Sequence, residues 1–188
     1  MKLISGLGNP GAEHAGDRHN AGFLVLERLA ARLSIPLDAA KFDGRLGVGR
    51  LGAERLLLLK PDTYMNLSGQ SVAAAARFYK LQPADLLVVH DELDLPFGRL
   101  QLKSGGGTAG HNGLRSIVAS LGEDGFARLR VGVGKPEGKE RTVGHVLGGF
   151  SKEERAALPE VLDRAAEAAL GWATLPLGEA MTRFNRKA

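Results

Sequence analysis

The 188-residue chain contains no cysteine. This excludes disulfides, a thiol nucleophile and cysteine-ligated metals, and it fits a reducing compartment. No apolar run is long enough to cross a membrane. The N-terminus, Met1-Lys2-Leu3-Ile4, enters a strand-like run at once and shows no signal-peptide pattern. The expectation is therefore a cytoplasmic protein with no membrane association. Gly-x-Ser-x-Gly is absent, as is His-Glu-x-x-His, so the sequence offers neither the serine elbow nor the zinc-peptidase helix. There is no internal repeat, low-complexity segment or linker, and the length suits one domain over residues 1–188.

What is present is an ordinary globular composition, 44% hydrophobic with a formal net charge of +4. The charge is unevenly placed. Between Arg99 and Arg141 there are eight Lys or Arg against four Asp or Glu, whereas from Ser151 onward the two are equal at six each. Such a local excess fits either an anionic partner or a solvated face.

Apolar periodicity gives an alternating order of strands and helices. Residues 2–5 read as a first strand. A helix follows from Asn20, with Phe23, Leu26, Ala30 and Leu33 on one face and Pro36 after its end. Residues 45–51 and 55–60 read as a hairpin, its second strand carrying Leu56-Leu57-Leu58-Leu59, suited to burial on both faces. A loop then leads to a helix with Val72, Ala76 and Tyr79 on one face, capped by Asn66 or Ser68. Residues 85–89 form another apolar strand running into His90-Asp91-Glu92, with Glu92 and Asp94 suited to capping the turn before Pro96. Residues 99–103 read as an edge strand, and a helix carries Leu114, Ile117, Val118 and Leu121. In the strand at 127–134, Arg128 and Arg130 share one face, placed either to grip phosphate or to meet solvent. Residues 135–144 are polar and read as a mobile lid. Ser151-Lys152-Glu153-Glu154 is a capping box for a long helix that Pro159 should kink or restart, and a short helix falls within 178–188. The class is α/β, with a mixed twisted sheet and helices on both faces.

Two glycine-rich loops stand out. Gly6-Leu7-Gly8-Asn9-Pro10-Gly11 formally matches the dinucleotide fingerprint. That fingerprint wants a helix opening directly from the loop and an acid ending a second strand. Here Gly16 and polar residues follow, and Glu27 sits inside a helical pattern. The second loop, residues 104–113, ends on His111-Asn112 at a helix start, where backbone amides can hold an anion or oxyanion. No Gly-Lys-Ser/Thr follows it. His19 either packs near a helix start or serves as a general base. If the loops after residues 5, 60, 89 and 103 gather at one end of the sheet, they bring together His19, Asp91, Asn9, Asn66 and Asn112. Asp91 could then orient His19, the asparagines could bind a neutral amide, and water would be the attacking group.

These blocks carry a family resemblance. Residues 6–11, Arg18-His19-Asn20-Ala21-Gly22-Phe23, Tyr64-Met65-Asn66-Leu67-Ser68-Gly69, residues 90–96, Gly110-His111-Asn112-Gly113-Leu114, and Val146-Leu147-Gly148 with Phe150 resemble bacterial peptidyl-tRNA hydrolase. The likeness covers essentially the whole chain in order. It implies a compact, monomeric, cofactor-free enzyme whose partner is peptidyl-tRNA. The expected reaction is cleavage of the ester between an N-blocked aminoacyl or peptidyl group and the 3′ end of tRNA. It further implies His19 as base, Asp91 as its orienting acid, and Asn9 as the residue that separates blocked from free α-amines. Tyr64, Asn66 and Asn112 match substrate contacts, and Lys103 and Arg130 a clamp on the tRNA 5′-phosphate. The chain departs from the family pattern with His14 for tyrosine, Asp17 for threonine and Thr108-Ala109 for His-Gly. His14 could keep a stacking contact while adding a pH-dependent charge. Two rivals are a non-catalytic RNA-binding relative serving splicing and a nucleotide-dependent enzyme using residues 6–11.

Overall fold

A computed structural model describes residues 1–136 and 142–186. Its framework is one seven-stranded mixed sheet in the order β2-β3-β4-β1-β5-β7-β6. Strand β1 is Lys2–Gly6, β2 Ala39–Lys41, β3 Gly44–Leu51, β4 Glu54–Pro61, β5 Leu86–Glu92, β6 Leu100–Ser104 and β7 Ala127–Gly132. Strands β4, β1, β5 and β7 run parallel, while β3 and β6 are antiparallel to their neighbours. The expected hairpin is β3–β4, and β6 is the expected edge. Strand β2 has no counterpart in the sequence reading, because its three residues are all exposed and carry no apolar pattern.

Burial follows position in the sheet. Leu56 to Leu59 and Leu86 to Val89 are all essentially buried, as central strands covered on both faces require. One face carries α1 (Ala21–Leu33) and α5 (Lys152–Thr174), the other α2 (Ser68–Phe78) and α3 (Asn112–Leu121). Helix α5 lays Ala165, Ala166, Ala168 and Ala169 inward, each wholly buried, small enough for close approach to α1. Short helices α4 (Thr142–Val146) and α6 (Leu177–Phe184) complete the chain. Of the segment read as a lid, residues 137–141 lie outside the described residues. No helix among the described residues is long and apolar enough to cross a membrane.

Three local expectations need correction. The side chains of Asn66 and Ser68 do not cap α2. Ser68 lies inside the helix and its hydroxyl donates to the Met65 carbonyl at 2.7 Å. The helix start is instead satisfied from α3, where Ser116 Oγ accepts the Gly69 N–H at 2.8 Å. Pro159 does not restart α5, which runs unbroken through it; the proline is exposed, while Val161 and Leu162 anchor the turn beyond it. The loop after β6 starts at the wrong end of the sheet, since β6 is antiparallel. It must climb back to reach the carboxyl ends of β1 and β5, using positive φ at Gly105, Gly106, Ala109 and Gly110.

The free edge of β6 is also engaged at its central residue. The Asn185 side chain accepts the Leu102 N–H at 2.6 Å and donates to the Leu102 carbonyl at 2.9 Å, as a neighbouring strand would.

Candidate active site

The chain leaves β1 toward β4 on one side and returns to β5 on the other, so the strand order reverses around β1. Open α/β sheets gather ligand chemistry beyond the carboxyl ends of strands at such a reversal. The glycines of the first loop serve this packing. A Cβ on Gly22 would lie 2.4 Å from the Val89 carbonyl oxygen, and one on Gly6 would lie 2.2 Å from the Gly22 carbonyl oxygen. Their absence lets α1 sit directly on β1 and β5, which places the turn Arg18–Asn20 over the end of β5.

At that point His19 meets Asp91. Nδ1 of His19 lies 2.8 and 2.9 Å from the two carboxylate oxygens. Asp91 is 2% exposed and is the next-to-last residue of the most deeply buried strand, β5. A second histidine shares it: His111 Nε2 is 2.8 Å from Asp91 Oδ1. The tautomer of His111 follows from its other nitrogen. Nδ1 accepts the N–H groups of Gly113 at 3.1 Å and Leu114 at 3.3 Å, capping α3, so the proton sits on Nε2 and points to Asp91. Burial works to raise the Asp91 pKa, but the His111 and His19 partners outweigh it, and the carboxyl is held well below the usual carboxylate range. Next in sequence, His90 is pushed down to about 3 by burial and by its neighbour His111. It stays neutral, with Nδ1–H donating to the Asp91 carbonyl at 2.8 Å.

Asn20, from which the helix was read to follow, occupies the N-cap position of α1 without a side-chain cap bond. Its carboxamide is used elsewhere: Oδ1 accepts the Asn9 N–H at 2.8 Å, and Nδ2 donates to the Asn9 carbonyl at 3.0 Å. Asn9 in turn accepts the Met65 N–H on Oδ1 at 2.7 Å. This fixes which end of the Asn9 amide is oxygen, and Nδ2 makes no hydrogen bond among the described residues.

Two cavities flank the Arg18–Asn20 turn. One, about 150 Å³, has His19, Asp91, His111 and Asn112 in its wall, closed across by Val143 and Val146 of α4. The other, about 190 Å³, holds Asn9, Asn20, Lys60 and Asp62. Of the expected gathering, His19, Asp91 and Asn112 share one cavity and Asn9 lines the other, while Asn66 lines neither. Tyr64 and Asn66 lie exposed on the loop after β4, and Tyr64 is 61% exposed. Lys103 and Arg130 sit apart on the β6–β7 pair. Arg130 is held by Glu92 through Nε at 2.8 Å and Nη2 at 2.7 Å, and also by Gln101. Arg128 is buried at 2% exposure, bonded to the carbonyls of Gly107 and Asp124, and does not face outward as the alternation suggested. His14 is hydrogen-bonded through Nδ1 to Asp17 at 2.8 Å, so two of the four residues that depart from the family pattern form one pair.

The chain matches the family model for peptidyl-tRNA hydrolase over residues 3–188. The chain belongs to the peptidyl-tRNA hydrolase family. It is 51% identical over 186 residues to a peptidyl-tRNA hydrolase of Geobacter sp. (strain M21), covering 99% of this chain and 98% of the relative. The corresponding Synechococcus sp. protein is 53% identical over 98% of this chain and 83% of its own. The crystal structure of peptidyl-tRNA hydrolase from Acinetobacter baumannii superposes with a TM-score of 0.92 at 44% identity, covering 98% and 94% of the two chains. Within this family frame, His19, Asp91 and His111 also come close enough for a metal, their ligand atoms lying within 4.8 Å of one another. The hydrogen bonds above account for each of those atoms, with both imidazoles turning N–H toward one carboxylate.

Two features were missed in the sequence. His111 as a second partner of Asp91 was signalled only by its place beside Asn112 at a helix start. Asn20 was hidden because its residue type fits a cap equally well.

Proposed function

We propose that this chain hydrolyses the ester joining an N-blocked aminoacyl or peptidyl group to the 3′ end of tRNA. It does so as a cytoplasmic monomer without a cofactor, and so returns tRNA to use. The observation that carries the reading is the His19–Asp91 hydrogen bond with His111 fixing the far side of the carboxylate. Asp91 holds the His19 proton on Nδ1, which leaves the Nε2 lone pair to take a proton from water. The hydroxide attacks the ester carbonyl carbon. The tetrahedral intermediate then expels the ribose oxygen, which takes back the proton from His19. His111 Nδ1 already occupies the Gly113 and Leu114 amides, so they do not serve the oxyanion. The Asn112 carboxamide, in the same cavity wall as His19, is the donor left for that role. Asn9 presents Nδ2 to the acyl chain and reads a blocked amine as an amide carbonyl. Tyr64 and Asn66 contact the substrate from the exposed loop, and His14 stacks on it. Lys103 and Arg130 hold the tRNA 5′-phosphate.

The test compares release of the acyl group from N-acetylated aminoacyl-tRNA and from its unblocked counterpart. The wild type should cleave only the blocked ester, with metal chelated. His19→Ala should lose about 10²–10⁴ in turnover while binding tRNA nearly as well. Binding lost in parallel with activity would remove His19 from the catalytic role.

A further inference from the structure

On the far edge of the sheet lies a cavity of about 500 Å³, larger than either half of the catalytic cleft and sharing no residue with them. The loop between β5 and β6, the first half of α5 and the end of α6 enclose it. Its wall combines three arginines, Arg99, Arg164 and Arg186, with the rings of Phe97 and Phe184. Arginine ion pairs among the described residues belong to Arg18, Arg28, Arg32, Arg45 and Arg130, so none of these three has a carboxylate partner. Glu160, the one acid in the wall, is exposed and unpaired with them.

Two of the arginines are held in place by neutral groups. Arg99 Nη2 donates to the Asn185 carbonyl at 3.2 Å, and Arg164 Nη2 to the Gly98 carbonyl at 3.1 Å. Gly98 has φ of +83°, and a Cβ there would lie 3.3 Å from Val161 Cγ2 and 3.7 Å from the Arg164 guanidinium. A bare backbone therefore suits this approach. The Nε atoms of Arg99 and Arg164 are buried with no hydrogen-bond partner. With Nε buried and one Nη hydrogen on a carbonyl, three Nη–H donors remain on each of Arg99 and Arg164 for a ligand in the cavity. Three half-buried or exposed cations share this wall with a single unpaired acid, an arrangement that a bound anion would stabilise.

We propose that this cavity is a binding site for a nucleoside phosphate, with the three guanidiniums on the phosphate and Phe97 and Phe184 against the sugar and base. Fork-shaped guanidinium donors match phosphate oxygens. The volume lies within the range of small-ligand sites, and aromatic walls suit a base of any identity. The phosphate can come from the RNA backbone or from a free nucleotide. Arg99, just before β6, and Lys103 within it lie four residues apart, about 13 Å if extended. The backbone source rests on the tRNA reading of the previous section, whereas the site itself does not.

Amide NMR titration of wild type with inorganic phosphate and with 5′-AMP reads the site without any turnover. Shifts at Gly98, Arg99 and Asn185 are expected, stronger with 5′-AMP. They should weaken at least tenfold in Arg164→Gln/Arg186→Gln, and measurably in Arg186→Gln alone, an exposed position that leaves the fold undisturbed. tRNA affinity as a function of salt separates the sources. A slope of log K against log[salt] lower by about two in the double variant identifies the RNA backbone. An unchanged slope with lost 5′-AMP shifts identifies a free nucleotide. Absence of shifts with either probe, together with an unchanged slope, overturns the proposal. A wild type that shows the shifts but hydrolyses no ester would instead fault the enzymatic reading.

Discussion

Asp91 is the residue on which the site turns. It is buried, negatively charged and bonded to two imidazoles that each have a second task. Asp91→Asn keeps the shape but lets the amide donate where only acceptance is wanted, which favours the wrong His19 tautomer. Turnover should fall by about 10⁴ with modest change in substrate binding, checked by kcat and KM on N-acetylated aminoacyl-tRNA. In the proposed mechanism His111 is a positioning residue. His111→Ala should cost about 1 kcal/mol of stability through the lost α3 cap and lower kcat. It should also change the pH profile of kcat, since one of the two donors to Asp91 is gone. A purely structural histidine would move the denaturation midpoint and leave that profile alone. The pairing of His19 with Asp91 was readable because a His on one connection and an Asp near the end of a buried strand have one obvious joint use. Asn20 and His111 were not, because each residue type fits a local capping role, and only the fold shows what its other atoms touch.

At the scale of elements, the strands were read well where they are central. Leu56 to Leu59 and Leu86 to Val89 carry enough apolar residues for burial to dictate their state. The direction of β6 was not readable, since alternation reports which face a residue occupies and not which way the strand runs. That single direction explains why the second glycine loop carries four residues at positive φ. The capping box at Ser151 is present in full: Ser151 Oγ accepts the Glu154 N–H at 3.1 Å, and Glu154 accepts the Ser151 N–H at 2.9 Å. Glu154 also pairs with Arg18 at 2.9 Å, tying the start of α5 to the turn that bears His19. Ser151→Ala should therefore cost about 1 kcal/mol in urea unfolding. It should also raise the KM more than a surface change remote from this turn.

For the whole molecule, the buried histidine beside Asp91 contributes to the response to acid. His90 titrates at about 3 in the folded chain and near 6.5 when unfolded. Between those values the unfolded state binds the extra proton, so stability falls as pH drops below about 6.5, at up to about 1.4 kcal/mol per unit. Urea unfolding at pH 7 and pH 5 should show a loss of about 2 kcal/mol from this group, and His90→Asn should abolish that part of it. Asp91 moves the same way at lower pH. Its folded pKa is depressed, so its contribution is present above about pH 4 and fades as pH falls toward the folded value. The sheet as a whole has two outer strands, and they are protected differently. Strand β2 offers only three residues to a would-be partner. Strand β6 is longer, and its central peptide is already engaged by Asn185. An amide side chain here impersonates a strand. It leaves no unsatisfied peptide at Leu102 to template a neighbour, so crowded copies of the chain meet a finished border instead of an invitation to extend the sheet.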